Sequence, residues 1–98
     1  MAVHRVLLFK TKEGTTEEQK RAFITEARSL LDVIPGLLSL KIGPALEMSR
    51  TKGFDMGIIL ELQSLQHLQI FATHPAHLRL HDIRENISND SLAFMLEH

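Results

Sequence analysis

Apolar residues recur along this chain with two different periods, and the switches between those periods mark out its elements. Residues 3 to 10, Val-His-Arg-Val-Leu-Leu-Phe-Lys, alternate with a period of two and contain no breaker, which predicts a strand. His4, Val6 and Leu8 fall on one face; Val3, Leu7 and Phe9 fall on the other, with Arg5 as its polar exception. Beyond a turn at Lys12-Glu13-Gly14 the period lengthens. Phe23, Ala27, Leu30 and Ile34 recur at i, i+4, i+7 and i+11, the apolar stripe of an amphipathic helix. Thr15 with Glu18, or Thr16 with Gln19, has the capping-box spacing, and Glu17 and Glu18 suit the positive end of the helix dipole. The helix is expected to run to about Ile34, where Pro35-Gly36 ends it, because proline cannot donate and glycine accepts positive φ.

Leu37 to Ile42 reads as a second strand, with Leu38, Leu40 and Ile42 on one side and Leu37, Ser39 and Lys41 on the other. Gly43-Pro44 stops it, and the aperiodic, polar segment from Ala45 to Lys52 reads as a surface loop. Gly53 to Leu62 predicts a third strand, in which Met56, Ile58, Leu60 and Leu62 alternate with Asp55, Gly57, Ile59 and Glu61. Ser64 caps a short helix with Leu65, Leu68, Phe71 and Ala72 on one side, and Thr73-His74-Pro75 breaks it. Pro75 suits the first position of the next helix, whose stripe is Ala76, Leu80, Ile83 and Ile87 and which ends near Ser88-Asn89-Asp90. Ser91 to Leu96 is a last strand, with Leu92, Phe94 and Leu96 opposite Ala93 and Met95.

The order β-α-β-β-α-α-β predicts an α+β, ferredoxin-like domain: a four-stranded antiparallel sheet with helices on one face. Helices can cover only that face, yet the first, third and fourth strands are apolar on both. An uncovered sheet of this kind exceeds the apolar patch a monomer tolerates. A homodimer formed sheet to sheet is therefore expected, burying on the order of 1,200–2,000 Å². A chain of 98 residues also buries only roughly 60–68% of its unfolded surface, so a shared core adds what a private one lacks.

Charge narrows the partners. Eleven Lys and Arg against twelve Asp and Glu give a net charge of −1, with no basic stripe of the kind that nucleic-acid binding requires. No apolar run approaches the ~20 residues of a membrane span, and no charged leader with an apolar core opens the chain. Cysteine is absent, which removes disulfides, thiolate catalysis and cysteine-ligated zinc. A cytoplasmic protein is expected. Leu96-Glu97-His98 has the look of a junction with a purification tag, so residues 1–96 are taken as the single domain and 97–98 are kept out of functional reasoning.

The candidate chemistry centres on Thr73-His74-Pro75-Ala76-His77, which closes one helix, opens the next and holds two imidazoles within four residues. His77 lies about 100° from the centre of its helix's apolar stripe, at the border where a pocket rim would be, and its imidazole titrates near neutrality. The competing reading is a helix-breaking corner whose histidines cap or pack. His4 shares an apolar strand face with Val6 and Leu8, where a histidine serves either a site or an interface. His74, His77 and His81 share one side of a helix at i, i+3 and i+7, but no His-Glu-x-x-His pattern accompanies them and no metal is assigned. Leu8, Phe23, Met56, Ile58 and Phe71 form an apolar set that either lines a pocket for a small ring compound or packs the core. There is no phosphate-cradling glycine loop and no nucleophile elbow, so no cofactor is assigned.

Several of these residues occur together in a known family. His4, Phe9-Lys10, Glu13-Gly14-Thr15-Thr16-Glu17-Glu18-Gln19, Ile34-Pro35-Gly36, Lys52-Gly53-Phe54 and His74-Pro75-Ala76-His77, in that order, resemble the stress-responsive A/B barrel (Dabb) domain family over about residues 3 to 96. The resemblance implies a ferredoxin-like protomer forming a homodimeric α/β barrel, and a role that in most members is unassigned and in some is linked to stress. It also implies a possible acid–base site, because a plant polyketide cyclase of the family performs an intramolecular aldol cyclisation between sheet and helices. Of the four residues implied for that site, His4 matches the strand-one histidine and His77 the last histidine of the His-Pro-Ala-His run. Met56 and Phe71 stand where that pattern has a histidine and a tyrosine. Three readings are thus in play: a dimeric barrel, without or with weak catalysis, binding a small apolar or aromatic ligand; a cyclase-, isomerase- or lyase-like enzyme with His77 as base and His4 assisting; or a purely structural unit that assembles dimers into larger rings.

Overall fold

A computed structural model describes residues 1–98. Strands β1 (Val3–Thr11), β2 (Leu37–Pro44), β3 (Met56–Leu62) and β4 (Ser88–Glu97) form one antiparallel sheet in the order β2-β3-β1-β4. Helices α1 (Glu17–Ser29), α2 (Leu65–Thr73) and α3 (Pro75–Ile87) cover one face. This is the expected ferredoxin-like plan. No helix is long and apolar enough to cross a membrane.

The capping choice at α1 falls to Thr16. Its hydroxyl accepts from the Gln19 amide at 3.1 Å, and the Gln19 side chain accepts from the Thr16 amide at 2.8 Å. The regular helix stops at Ser29, five residues before Ile34, because the chain tightens into a 3₁₀ turn at Leu30–Asp32. That turn lets the Val33 and Ile34 amides both donate to the Leu30 carbonyl and still delivers Ile34 to the core. Gly36 then takes φ +78°, and a Cβ there would lie 2.1 Å from the His67 ring, so glycine is required twice over.

Three strand features differ from the expected ones. A register shift between Leu37 and Ser39 lets Leu37 turn inward opposite Leu62 and leaves Leu38 exposed, the reverse of the simple alternation. β3 begins at Met56 rather than Gly53 because Lys52 and Gly53 sit at φ +58° and +98°, outside strand geometry. β4 begins at Ser88 rather than Ser91, since pairing with β1 already holds Ser88 opposite Thr11 and Asp90 opposite Lys10.

The core lies between helices and sheet. Val3, Phe9, Phe23, Leu30, Leu60 and Leu62 are almost wholly buried, and the Phe9 and Phe23 rings meet edge to face at 5.3 Å. An ion pair from Arg79 Nε to Glu26 Oε1 at 3.0 Å ties α3 to α1. The other face of the sheet is bare in the single chain. Val6 sits between its cross-strand partners Ile59 and Phe94, and Leu8 pairs with Leu92. Phe94 is 59% exposed, Leu92 53% and Ile59 49%, so the apolar rows predicted for this face are uncovered.

Candidate ligand-binding site

The helix corner at Thr73–Pro75 stands over a cavity of about 200 Å³ between the helices and the sheet. The corner is built locally. The Ala76 amide donates to His74 Nδ1 at 3.1 Å, so His74 caps α3, and Pro75 fills the first helical position. His74 therefore fulfils the capping reading and is occupied by it. Starting α3 there places His77, His81 and Arg84, at i, i+4 and i+7, along the helix side that looks into the cavity. β1 contributes Arg5, which lies on the helix-covered face with Val3 and Leu7. Leu7, Phe23, Leu30, Ile58, Phe71 and Leu80 form the apolar wall, with Ser91 and Ala93 from β4.

His77 is half-buried. Its ring packs on Phe71 with centroids 4.3 Å apart, and its Nδ1 lies 3.2 Å from the Ala72 carbonyl oxygen. A carbonyl can only accept, so Nδ1 carries the hydrogen and Nε2 keeps its lone pair. Burial pushes the His77 pKa below the ordinary imidazole value of 6.5. The bond to Ala72 opposes that shift, and the charges of Arg5, His81 and Arg84 add to it. At neutral pH the group is a neutral imidazole of defined tautomer with its basic nitrogen unspent.

The cavity is also rich in positive charge. Arg84 is buried, 8% exposed, and makes no side-chain hydrogen bond; the Glu85 carboxylate approaches Nη2 only to 3.9 Å. Glu85 itself lies on the outer surface, where His81 Nε2 meets the same oxygen at 3.3 Å. Arg5 stands over the Phe71 ring, 5.8 Å from its centroid, and has no carboxylate partner. Burial first, and then the charge of Arg84, lower its pKa from the usual guanidinium value.

Of the residues singled out from sequence, Phe23, Ile58, Phe71 and His77 share this cavity. His4 and Leu8 do not: strand alternation carries them to the bare face, where His4 pairs with Glu61 and Leu96. His4 therefore cannot assist His77 within one protomer, and the strand-one residue beside the cavity is Arg5. Met56 is buried near Phe9; with Leu8 it borders a second, shallower hollow beside Ile42, Pro44 and Leu46. His74, His77 and His81 do not converge as a ligand set. Arg5 and Arg84 escaped the sequence reading, although both carried a signal. Arg5 interrupts an apolar alternation, and Arg84 lies four residues beyond Leu80 and seven beyond His77, beside the stripe.

Comparison with known proteins places this geometry. Olivetolic acid cyclase from Cannabis sativa is 25% identical over 95 residues, spanning 96% of this chain and 94% of the relative. A dimeric ferredoxin-like protein of unknown function from Thermobifida fusca superposes with a TM-score of 0.88 at 21% identity, covering 100% of this chain and 92% of the other. A hydroxynitrile lyase from Passiflora edulis reaches the same TM-score at 16% identity over 97% and 91% of the two chains. The family model for the stress responsive A/B barrel domain matches residues 3–95, nearly the whole chain. With its sheet order, its bare apolar sheet face and its helix corner over a cavity, the chain belongs to the stress-responsive A/B barrel (Dabb) domain family.

Proposed function

We propose that this protein is a small cytoplasmic homodimer, joined through the bare sheet face, whose cavity binds a small, mainly apolar ligand bearing a ring. The cavity carries the reading: an apolar and aromatic wall, with a few polar groups at one side, is the usual make-up of a small-molecule site. The absence of cysteine accords with a reducing compartment, and the dimeric description of the Thermobifida fusca protein accords with pairing through the sheet. A titration followed by amide chemical shifts, with 4-propylphenol as probe, tests it. Saturable shifts are expected at Arg5, Phe71, His77 and Ala93; shifts confined to the bare face, or none, would remove the site.

A second reading is favoured by the state of His77. A neutral imidazole with Nε2 free, facing an apolar cavity, can take a proton from a carbon acid or a phenol. Arg5 and Arg84 then supply positive charge to the anion formed beside it. Cyclase and lyase names among the relatives accord with proton-transfer chemistry. Its test is catalysed exchange of the α-protons of a simple aryl ketone, acetophenone, in deuterated water. Exchange abolished by His77→Gln supports a base; exchange equal in both proteins refutes one.

A further inference from the structure

We infer that the ligand of this cavity is an organic acid, and that Arg5 and Arg84 receive its carboxylate while the ring lies against Phe71 and Leu80. The inference rests on the ligand-binding reading above and specifies the chemistry of what binds.

Three observations carry it. Arg84 is nine-tenths buried, yet its guanidinium makes no hydrogen bond to the protein and only a long ion pair, 3.9 Å, to Glu85. A buried guanidinium is normally held by a carboxylate or by carbonyl groups, because desolvating a charge without a partner is costly. Here the one nearby carboxylate, Glu85, is turned to the surface and meets His81 more closely than Arg84. Second, Arg5 brings a guanidinium with no carboxylate partner to the same cavity from a different element, and each raises the cost of the other's charge. Two like charges lining one cavity, with Glu85 only at long range from one of them, are a repulsive arrangement that an incoming anion relieves. Third, apart from His77, His81 and Ser91, the rest of the wall is apolar. A bare inorganic anion would leave that surface unfilled, whereas a carboxylate on a ring or short chain satisfies both parts at once. The guanidinium fork matches a carboxylate in a bidentate manner, with several donors fixed in a plane.

Neutral His77 suits the same ligand, since its free Nε2 can accept a hydrogen bond from a hydroxyl elsewhere on the molecule. Nothing else in the cavity supplies a negative charge: the groups from β1, β4, α2 and α3 that line it include no Asp or Glu.

The test compares 4-propylbenzoate with its uncharged counterpart, 4-propylbenzamide, by isothermal titration calorimetry at one ionic strength. The wild-type protein is expected to bind the carboxylate at least about tenfold more tightly, the scale of a charge-assisted hydrogen bond. Arg84→Gln and Arg5→Gln, on separate elements, should each remove about tenfold of that preference, read as the ratio of the two probes' affinities. Circular dichroism melts confirm that both variants fold. Equal binding of the two probes, or a preference that survives both substitutions, overturns the inference while leaving a ligand site in place. Failure of both probes to bind wild-type protein overturns the inference and the ligand-binding reading together.

Discussion

Replacing Phe94 by alanine or aspartate tests the dimer directly. Phe94 is 59% exposed in the single chain, flanked on the bare face by Val6. Complete burial of a phenylalanine stabilises by roughly 1.5–3 kcal/mol, so covering the remaining 59% is worth roughly 0.9–1.8 kcal/mol per copy. A two-fold interface counts each substitution twice, giving roughly 2–3.5 kcal/mol in all. Alanine retains Cβ, so Phe94→Ala should weaken the dimer by about ten- to a hundredfold. Phe94→Asp adds two carboxylates to an apolar seam and should yield a monomer at micromolar concentration. Sedimentation velocity over a concentration series reads the change, with circular dichroism confirming that the fold is kept. Leu78→Asp is the control: Leu78 is similarly exposed, at 49%, but lies on α3, away from the open sheet face, and this variant should remain a dimer. A Phe94→Asp protein that still sediments as a dimer would show that the bare sheet is not the interface.

Other predictions follow from particular contacts. Arg84→Met should raise the melting temperature by about 4–8 °C at fixed protein concentration, because relieving a buried charge that has only a long, 3.9 Å ion pair, at a gain of about 1 kcal/mol, outweighs the lost contact with Glu85; a fall of that size would make the arginine structural. His77 should titrate below 6.5 when followed by its ring-proton shifts. Since the unfolded chain takes up that proton first, stability contributed through His77 is fully present above 6.5 and lost as pH falls through the lower folded-state value. The groups facing it are Arg5 on β1 and His81 and Arg84 on α3; His77→Gln should flatten the slope of stability against pH in that window, and an unchanged slope would assign it to another group. Gly36→Ala should cost at least about 1–3 kcal/mol in urea unfolding, combining a strained positive φ with a clash against the His67 ring; a smaller loss would mean that His67 moves aside freely.

The outline of the fold was legible because it depends on local repetition. The period-two runs of β1 and β3 and the period of α1 each required only neighbours along the chain, and Pro35-Gly36 and Pro75 punctuate them by covalent geometry. Boundaries were less legible wherever pairing outweighed local preference. Ser88-Asn89-Asp90 reads as a turn by composition but becomes strand because β1 offers it a ladder.

The candidate site divides along the same line. That His77 borders an apolar helix stripe, and that Phe23, Ile58 and Phe71 point toward a common interior, followed from periodicity alone. Pairing His4 with His77 needed the distance across the sheet, and there the alternation that set His4 beside Val6 and Leu8 puts it on the far side. The meeting of Arg5 with Arg84, 79 positions apart in the chain, depended on how α3 packs over the sheet. Periodicity assigns each side chain to a face, whereas the charge of a cavity is a property of faces brought together, and only the packing of helix on sheet brought these two into one cavity.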